Sequence, residues 1–238
     1  MGTLVNCIAV ILGGIIGLIF KKLIRQSWVD GINKALGIAV LVVGINGVLS
    51  NMLTVTDSGF STSGELILIV SLVLGTLTGE VLNLDGRFTR FTEKMEKKFN
   101  FGGFSAGFIS STVLFCVGAM AIIGSVNDGL TGDSSVLFIK SALDFTAAIV
   151  LAATLGWGVI FSFVPLLIYQ GGITLLAGTL GQILVGELLK QVCYVGYAII
   201  MCIGLNFLVT NKIKTLNMLP AVVVPVIYSL ISGIAQNQ

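Results

Sequence analysis

Apolar residues along this chain neither alternate nor recur on one helical face; they run on. Mostly apolar windows occupy 3–20, 35–51, 64–84, 104–125, 135–159, 164–183, 189–210 and 217–235. Each is close to the ~17–25 residues that carry a helix across the hydrocarbon core of a bilayer. The fifth and sixth windows form a single run too long for one crossing, so a break is expected near Ser162–Pro165, where a proline opens a new helix. The pattern predicts an all-α fold: a polytopic membrane helix bundle of about eight transmembrane helices, with 1–238 as a single transmembrane domain.

Polar positions between the windows set an orientation. Lys21, Lys22, Arg25 and Lys34 fall between windows one and two. Arg87, Arg90, Lys94, Lys97 and Lys98 fall between three and four, and Lys212 and Lys214 between seven and eight. With eight crossings these loops share one side, and they hold all of the 13 basic residues but Lys140 and Lys190. Short loops rich in Lys and Arg stay cytoplasmic, so both termini are expected outside the cytoplasm. Within 86–101, Phe88, Phe91, Met95 and Phe99 recur at helical spacing among basic residues. That is the pattern of an amphipathic helix lying on an anionic membrane surface; a helix packed on the protein's own inner face is the alternative.

Composition agrees. Hydrophobic residues make up 55% and charged residues only 10%, against roughly 25% charged in soluble domains. The mean hydropathy is +1.05. The run "MGTLVNCIAVILGGIIGLIFKK" carries its charges after the apolar stretch; a secretory leader has them first, so it reads as a spanning helix. With no histidine in the chain, His bases and His metal ligands are excluded. Cys7, Cys116, Cys193 and Cys202 lie in apolar runs with no CxxC pair, so neither a disulfide framework nor a metal site is expected. No HExxH, Walker, Rossmann or GxSxG motif is present. The expectation is a protein that is not an enzyme, with no catalytic residues, no cofactor and no nucleic-acid partner.

The chain also echoes itself. "VVGINGVL", "IIGSVNDGL" and "CIGLNFLVTN" place Asn46, Asn127 and Asn206 after a glycine near the end of an apolar helix. Ahead of them, "ILGGIIGLIF" and "VLGTLTGEVL" share the pairs Gly13/Gly17 and Gly75/Gly79, and "LLAGTLGQIL" is a looser third copy. These echoes divide the chain into repeat-like units 1–51, 64–162 and 163–238. Two comparable three-helix units of odd crossing number enter the membrane from opposite sides, an inverted three-helix repeat as in many secondary transporters.

The stretch "FCVGAMAIIGSVNDGLTGDSSVLFIKSALDFTAAIVLAATLGWGV" (115–159), with "MGTLVNCIAVILGGIIGLIFKKLI" and "NKALGIAVLVVGINGVL", resembles the YqgA/YdfK-like bacterial inner-membrane proteins. The resemblance implies a multi-spanning fold in the bacterial cytoplasmic membrane. The family is one of unknown function, so no site residue is carried over from it.

Candidate residues follow from cost. Charges inside spanning helices are expensive and mark function by default. Lys140 and Asp144 in "FIKSALDF" are one helical turn apart and pair on one face. They read either as a proton or cation site or as an internal packing pin. Asp133 with Ser134 and Ser135 reads as an N-cap for the helix that carries them. Glu80 sits near a helix end. Gln170 precedes Gly171-Gly172, which reads as a helix break lining a cavity or as a close-packing face. Asn127 and Asp128 mark an external entrance above Asp144, and Asn46 and Asn206 are the counterparts of Asn127. The leading expectation is a secondary transporter of a small polar or ionic solute, with H+ or Na+ coupling in which Asp144 carries the ion. An ion channel or a non-transport scaffold or sensor are the alternatives. Coupled transport requires a cavity reaching Asp144; a sealed Lys140–Asp144 pair speaks against it. Lipid bilayer and solute are the expected partners, and the small-residue faces suit a homodimer.

Overall fold

The computed structural model describes residues 1–238 except 22, 24, 25, 57, 58, 100–103, 184, 185, 211, 212, 237 and 238. In chain order the helices are α1 (Gly2–Lys21), α2 (Gln26–Met52), α3 (Glu65–Leu82), α4 (Leu84–Phe99), α5 (Phe104–Cys116), α6 (Ala119–Thr131) and α7 (Ser135–Leu155). After them come α8 (Gly158–Phe161), α9 (Phe163–Leu175), α10 (Ala177–Ile183), α11 (Gly186–Leu208), α12 (Thr215–Met218), a 3-10 turn (Leu219–Val223) and α13 (Val224–Gln236). A small antiparallel hairpin, β1 (Leu53–Thr56) and β2 (Gly59–Thr62), follows α2, with Leu53 opposite Thr62 and Thr56 opposite Gly59.

Among the described residues, six stretches are long and apolar enough to span a membrane: α1, Asp30–Met52 within α2, α3, α7, Gly158–Leu175 and α11. Their faces are inside out relative to a water-soluble helix. On α1 the exposed side carries Leu4, Ile8, Leu12, Ile15 and Ile19, while Thr3, Asn6, Gly13, Gly14 and Gly17 are buried. On α3 Leu66, Ile69, Val73, Leu77 and Val81 are exposed, and only Ser71, Gly75 and Gly79 are buried. Water would select the opposite arrangement; a hydrocarbon surround makes this one stable. The protein is a polytopic helical membrane protein.

The expected 104–125 helix is instead two, α5 and α6, bent by 59°. The bend falls at Gly118, whose φ of 122° suits glycine. The break in the long 135–183 run comes earlier than Ser162–Pro165. Gly156, at φ 88° and ψ −150°, ends α7, and Pro165 lies harmlessly in the first turn of α9. The last window, 217–235, is segmented into α12, the 3-10 turn and α13, with Pro220 at the start of the turn. Proline there removes a backbone donor that a continuous helix would need. Thus the bent pair makes a seventh apolar span, and the eighth window is a chain of short pieces.

The helices gather into two compact units, each drawn from two parts of the chain. Unit 1 is Met1–Ala35 with Phe88–Ile183, and unit 2 is Leu36–Arg87 with Leu184–Gln238. In unit 1, α1 and α7 lie parallel: Gly2 meets Leu137, Gly13 meets Phe145 and Ala148, and Gly17 meets Ile149 and Ala152. At Gly13 and Gly17 a Cβ would run into the carbonyl oxygens of Phe145 and Ile149, so these glycines set the close approach of the two backbones. In unit 2, Gly75 and Gly79 of α3 serve the same purpose against Ala221 and Asn217. Asn217 in turn accepts the backbone N–H of Asp85 at 2.8 Å, and Met52, Tyr194, Val195 and Ala221 form a buried apolar cluster.

The 86–101 segment is helical as α4 up to Phe99. Residues 100 and 101 and the side chains of Phe91, Met95 and Phe99 lie outside the described residues. Phe88 stacks on Phe108 of α5 at 5.3 Å between ring centroids, so this position packs on the protein itself.

Candidate functional site

Unit 1 holds a buried polar centre made by α1, α7 and α9. Lys140 and Asp144, four apart on α7, form an ion pair. They are only 5% and 7% exposed. Asn6 on α1 donates through Nδ2 to Oδ2 of Asp144 at 2.9 Å and to Oε1 of Gln170 at 3.3 Å. Asn6 and Gln170 are both 0% exposed.

The elements that hold this centre are placed by small residues and by backbone contacts. Parallel packing of α1 on α7 brings Asn6 beside Asp144. On its other flank α1 runs antiparallel to α8 and α9: Asn6 meets Gln170, the Cys7 thiol lies 3.7 Å from the Phe163 carbonyl, and Gly14 abuts Ile160. Removing one partner of a buried ion pair strands the other at a cost of about 3–5 kcal/mol. Each of the two charges is therefore tolerated only with its partner present.

Its hydrogen-bond valences are not all filled. Asn6 spends its amide hydrogens on Asp144 and Gln170, and its Oδ1 has no partner among the described residues. Gln170 accepts through Oε1, and its Nε2 has no partner among them either. Turning the Asn6 amide over would set Oδ1 against the Asp144 carboxylate, so the carboxylate fixes which end is left free. A free acceptor and a free donor, both inside the protein, flank a buried charge pair. Buried polar groups normally find partners, and these two atoms have none among the described residues.

The remaining candidate residues are distributed differently. Asp128, near the end of α6, is buried; the Met1 ammonium lies 3.0 and 3.2 Å from its two carboxylate oxygens, and the Ser134 hydroxyl donates to it. Asn127 is half-buried, and its carbonyl accepts from Thr131 at 2.9 Å. Asp133 lies in the connection after α6 and accepts the Ser135 backbone N–H at 2.9 Å. Asp133, not Ser134, is thus the residue whose side chain caps the first turn of α7. Hydrogen bonds from Ser135, side chain then backbone, hold the Asp133 carboxyl below its usual range.

In unit 2, Asn46 is an exposed interior position of α2. Asn206 ties off the end of α11, donating to the Ile213 carbonyl at 2.8 Å and accepting the Ile213 N–H at 2.7 Å. Glu80 is half-exposed and faces Lys214 at 3.4 Å. An apolar groove of about 290 Å3 lies between α3 and α13, with Leu66, Val70, Ser71, Ile227 and Tyr228 among its walls.

Two expectations need revision. Helix α9 runs unbroken through Gln170-Gly171-Gly172, so no carbonyls are freed there. Nor do those glycines serve close packing, since a Cβ at either would meet nothing within 4 Å. Sequence reasoning also passed over Asn6, the residue that joins the centre. The available signal was an amide side chain inside an otherwise apolar helix.

The family model "Protein of unknown function (DUF554)" matches residues 1–230. The chain is similar to the "Uncharacterized membrane protein YdfK" of Bacillus subtilis (strain 168), 35% identical over 224 residues, covering 94% of this chain and 93% of that protein. It is also similar to the "Uncharacterized protein YqgA" of Escherichia coli (strain K12), 27% identical over 228 residues, covering 93% and 92%. No solved structure matches this chain.

Proposed function

This chain belongs to the DUF554 family, described as proteins of unknown function, and on that premise we propose that it is a secondary transporter. Its cargo is a small polar or ionic solute, held at the Asn6–Asp144–Gln170 centre in a closed conformation. The observation that carries this reading is the pair of vacant valences, Asn6 Oδ1 and Gln170 Nε2, enclosed beside Lys140 and Asp144. Polar side chains enclosed among spanning helices are where secondary transporters hold their solutes. The repeat-like stretches 64–162 and 163–238 each contain an interrupted helix, at Gly118 and at Pro220, as expected of the broken helices of transporters. The bacterial relatives support a cytoplasmic-membrane protein, and the basic residues between windows support the loops after windows one, three and seven facing the cytoplasm.

The test is a thermal-shift screen of detergent-purified protein against NaCl, KCl, NH4Cl, amino acids and small carboxylates. A ligand held at a hundred times its Kd stabilises by about 2.7 kcal/mol. The expected result is a shift with at least one of these probes that Gln170→Leu abolishes. A flat response across the whole panel defeats the transport reading.

One observation favours a second reading. Lys140 and Asp144 are sealed between helices, which speaks against an ion carried by Asp144 and is what a purely structural pin in a scaffold protein would show. Replacing both with apolar residues of similar volume separates the two readings. A scaffold keeps its fold and its role, because well-packed apolar residues replace buried ion pairs at little cost; a transporter loses its solute response.

A further inference from the structure

Unfilled hydrogen-bond valences in unit 1 do not stop at Asn6 and Gln170. The hydroxyls of Thr3 on α1, Thr112 on α5, Ser125 on α6 and Thr174 on α9 are also buried and lack partners among the described residues, and all but Thr112 lie on the helices that carry Asn6, Asp128 and Gln170. This is unusual within the unit itself. A helical Ser or Thr in an apolar setting ordinarily bonds the carbonyl one turn back. Ser111, Ser141, Thr146 and Thr154 all do so, to Gly107, Leu137, Ala142 and Val150. Ser125 and Thr174 have the same option and leave it unused.

Helix register sets these hydroxyls in sequence. Helix α6 turns back into α7, with Gly124 against Leu137 and Asp128 against Ser134, so the two are antiparallel. Since α1 is parallel to α7 and antiparallel to α9, α6 and α9 run parallel. Gly129 of α6 abuts Thr174 of α9 and Ala177 of α10. One turn back along both helices, Ser125 therefore comes level with Gln170. The antiparallel pairing of Asn6 with Gln170 likewise brings Thr3 near the level of Thr174. The order from the α6–α7 corner inward is Asp128 with Ser134, then Thr3 and Thr174, then Ser125 with Asn6, Gln170 and Lys140, then Asp144.

We propose that Thr3, Ser125 and Thr174 line a hydrated access path from the Asp128 corner to the Asn6–Asp144–Gln170 centre. The inference rests on the transport reading and adds to it the side from which the centre fills. Its walls are uncharged hydroxyls and amides that both donate and accept, which suits water together with a small hydrogen-bonding solute. It does not suit a lipid tail or a bulky apolar molecule. The buried state of these hydroxyls is the closed form of the path, and opening it hydrates them.

The experiment is cysteine accessibility in membrane sheets open on both faces. The background replaces Cys7, Cys116, Cys193 and Cys202 with alanine. Into it go Ser125→Cys, a one-atom change, and separately Thr3→Cys and Thr174→Cys. Leu4→Cys, on the exposed apolar face of α1, and Thr131→Cys, exposed at the end of α6, bracket the scale. The probe is the cationic methanethiosulfonate MTSET. A cysteine in contact with water ionises and reacts, whereas one in an apolar surround stays a thiol, so each path position should react at least about tenfold faster than Leu4→Cys. All three matching Leu4→Cys while Thr131→Cys reacts overturns the path. Labelling without a solute-dependent thermal shift keeps the path and removes the transport reading. A solute shift without labelling does the reverse.

Discussion

Asn6 and Asp144 lie 138 positions apart in the chain, yet their side chains are joined at 2.9 Å inside the protein. The bond joins α1 to α7, and Gln170 extends it to a third helix. An unsatisfied buried partner costs about 1–3 kcal/mol, so Asn6→Leu should destabilise by about that amount. Denaturant titration of the purified protein in mixed micelles measures it. If Asn6→Leu unfolds at the wild-type midpoint, the bond contributes nothing to stability.

Lys140 and Asp144 should behave as a unit. Either Lys140→Met or Asp144→Leu alone leaves a buried charge and should cost about 3–5 kcal/mol, while the double change recovers most of it. A double-mutant cycle reads this directly. Additive losses would show that the two charges are solvated independently.

Glycines on two helices should respond in opposite ways. Gly17→Val forces α1 off the α7 backbone at Ile149, and is expected to abolish the monodisperse peak in size-exclusion chromatography. Gly172→Ala meets nothing and should stabilise α9 by up to about 1 kcal/mol through helix propensity. Equal tolerance of the two would contradict the close α1–α7 packing.

Gly156 ends α7 in a backbone region open almost only to glycine. Gly156→Ala should cost about 1–3 kcal/mol, seen as a lower melting temperature. An unchanged melt would mean that α7 continues past Leu155.

Asp133 supplies a pH signature. Its carboxyl is held below the usual range by Ser135, so its contribution is present at neutral pH and disappears as pH falls through the folded-state value. The melting difference between wild type and Asp133→Ala should therefore shrink on acidification. A difference that grows in acid contradicts the cap.

Much of the architecture could be read from the chain because hydrocarbon imposes a simple demand, a long enough apolar helix. The i,i+4 spacing of Lys140 and Asp144 exposed their pairing, and Gln170 stood out as an amide among apolar neighbours. What stayed hidden was tertiary. The register of α1 on α7 depends on which glycines face which carbonyls, and Gly13 and Gly17 do not announce their partner. Gly118 and Gly156 interrupt helices through backbone conformations that apolar periodicity does not record. Asn46, Asn127 and Asn206 follow similar words in the sequence but meet different ends. Asn206 clamps a loop and Asn46 is exposed, since local similarity does not decide what a side chain faces.

The parallel packing of α1 on α7 also has a consequence for biogenesis. At about 5–20 residues per second, the ribosome needs on the order of ten seconds or more to make the segment between Asn6 and Asp144. During that wait α1 sits in lipid with its amide unmatched. One carboxamide among apolar residues is a tolerable burden for insertion, whereas an aspartate at the same place would carry a penalty of about 2.5–3.5 kcal/mol before its partner existed. The neutral side chain on the early helix and the charges on the late one thus match the order of synthesis.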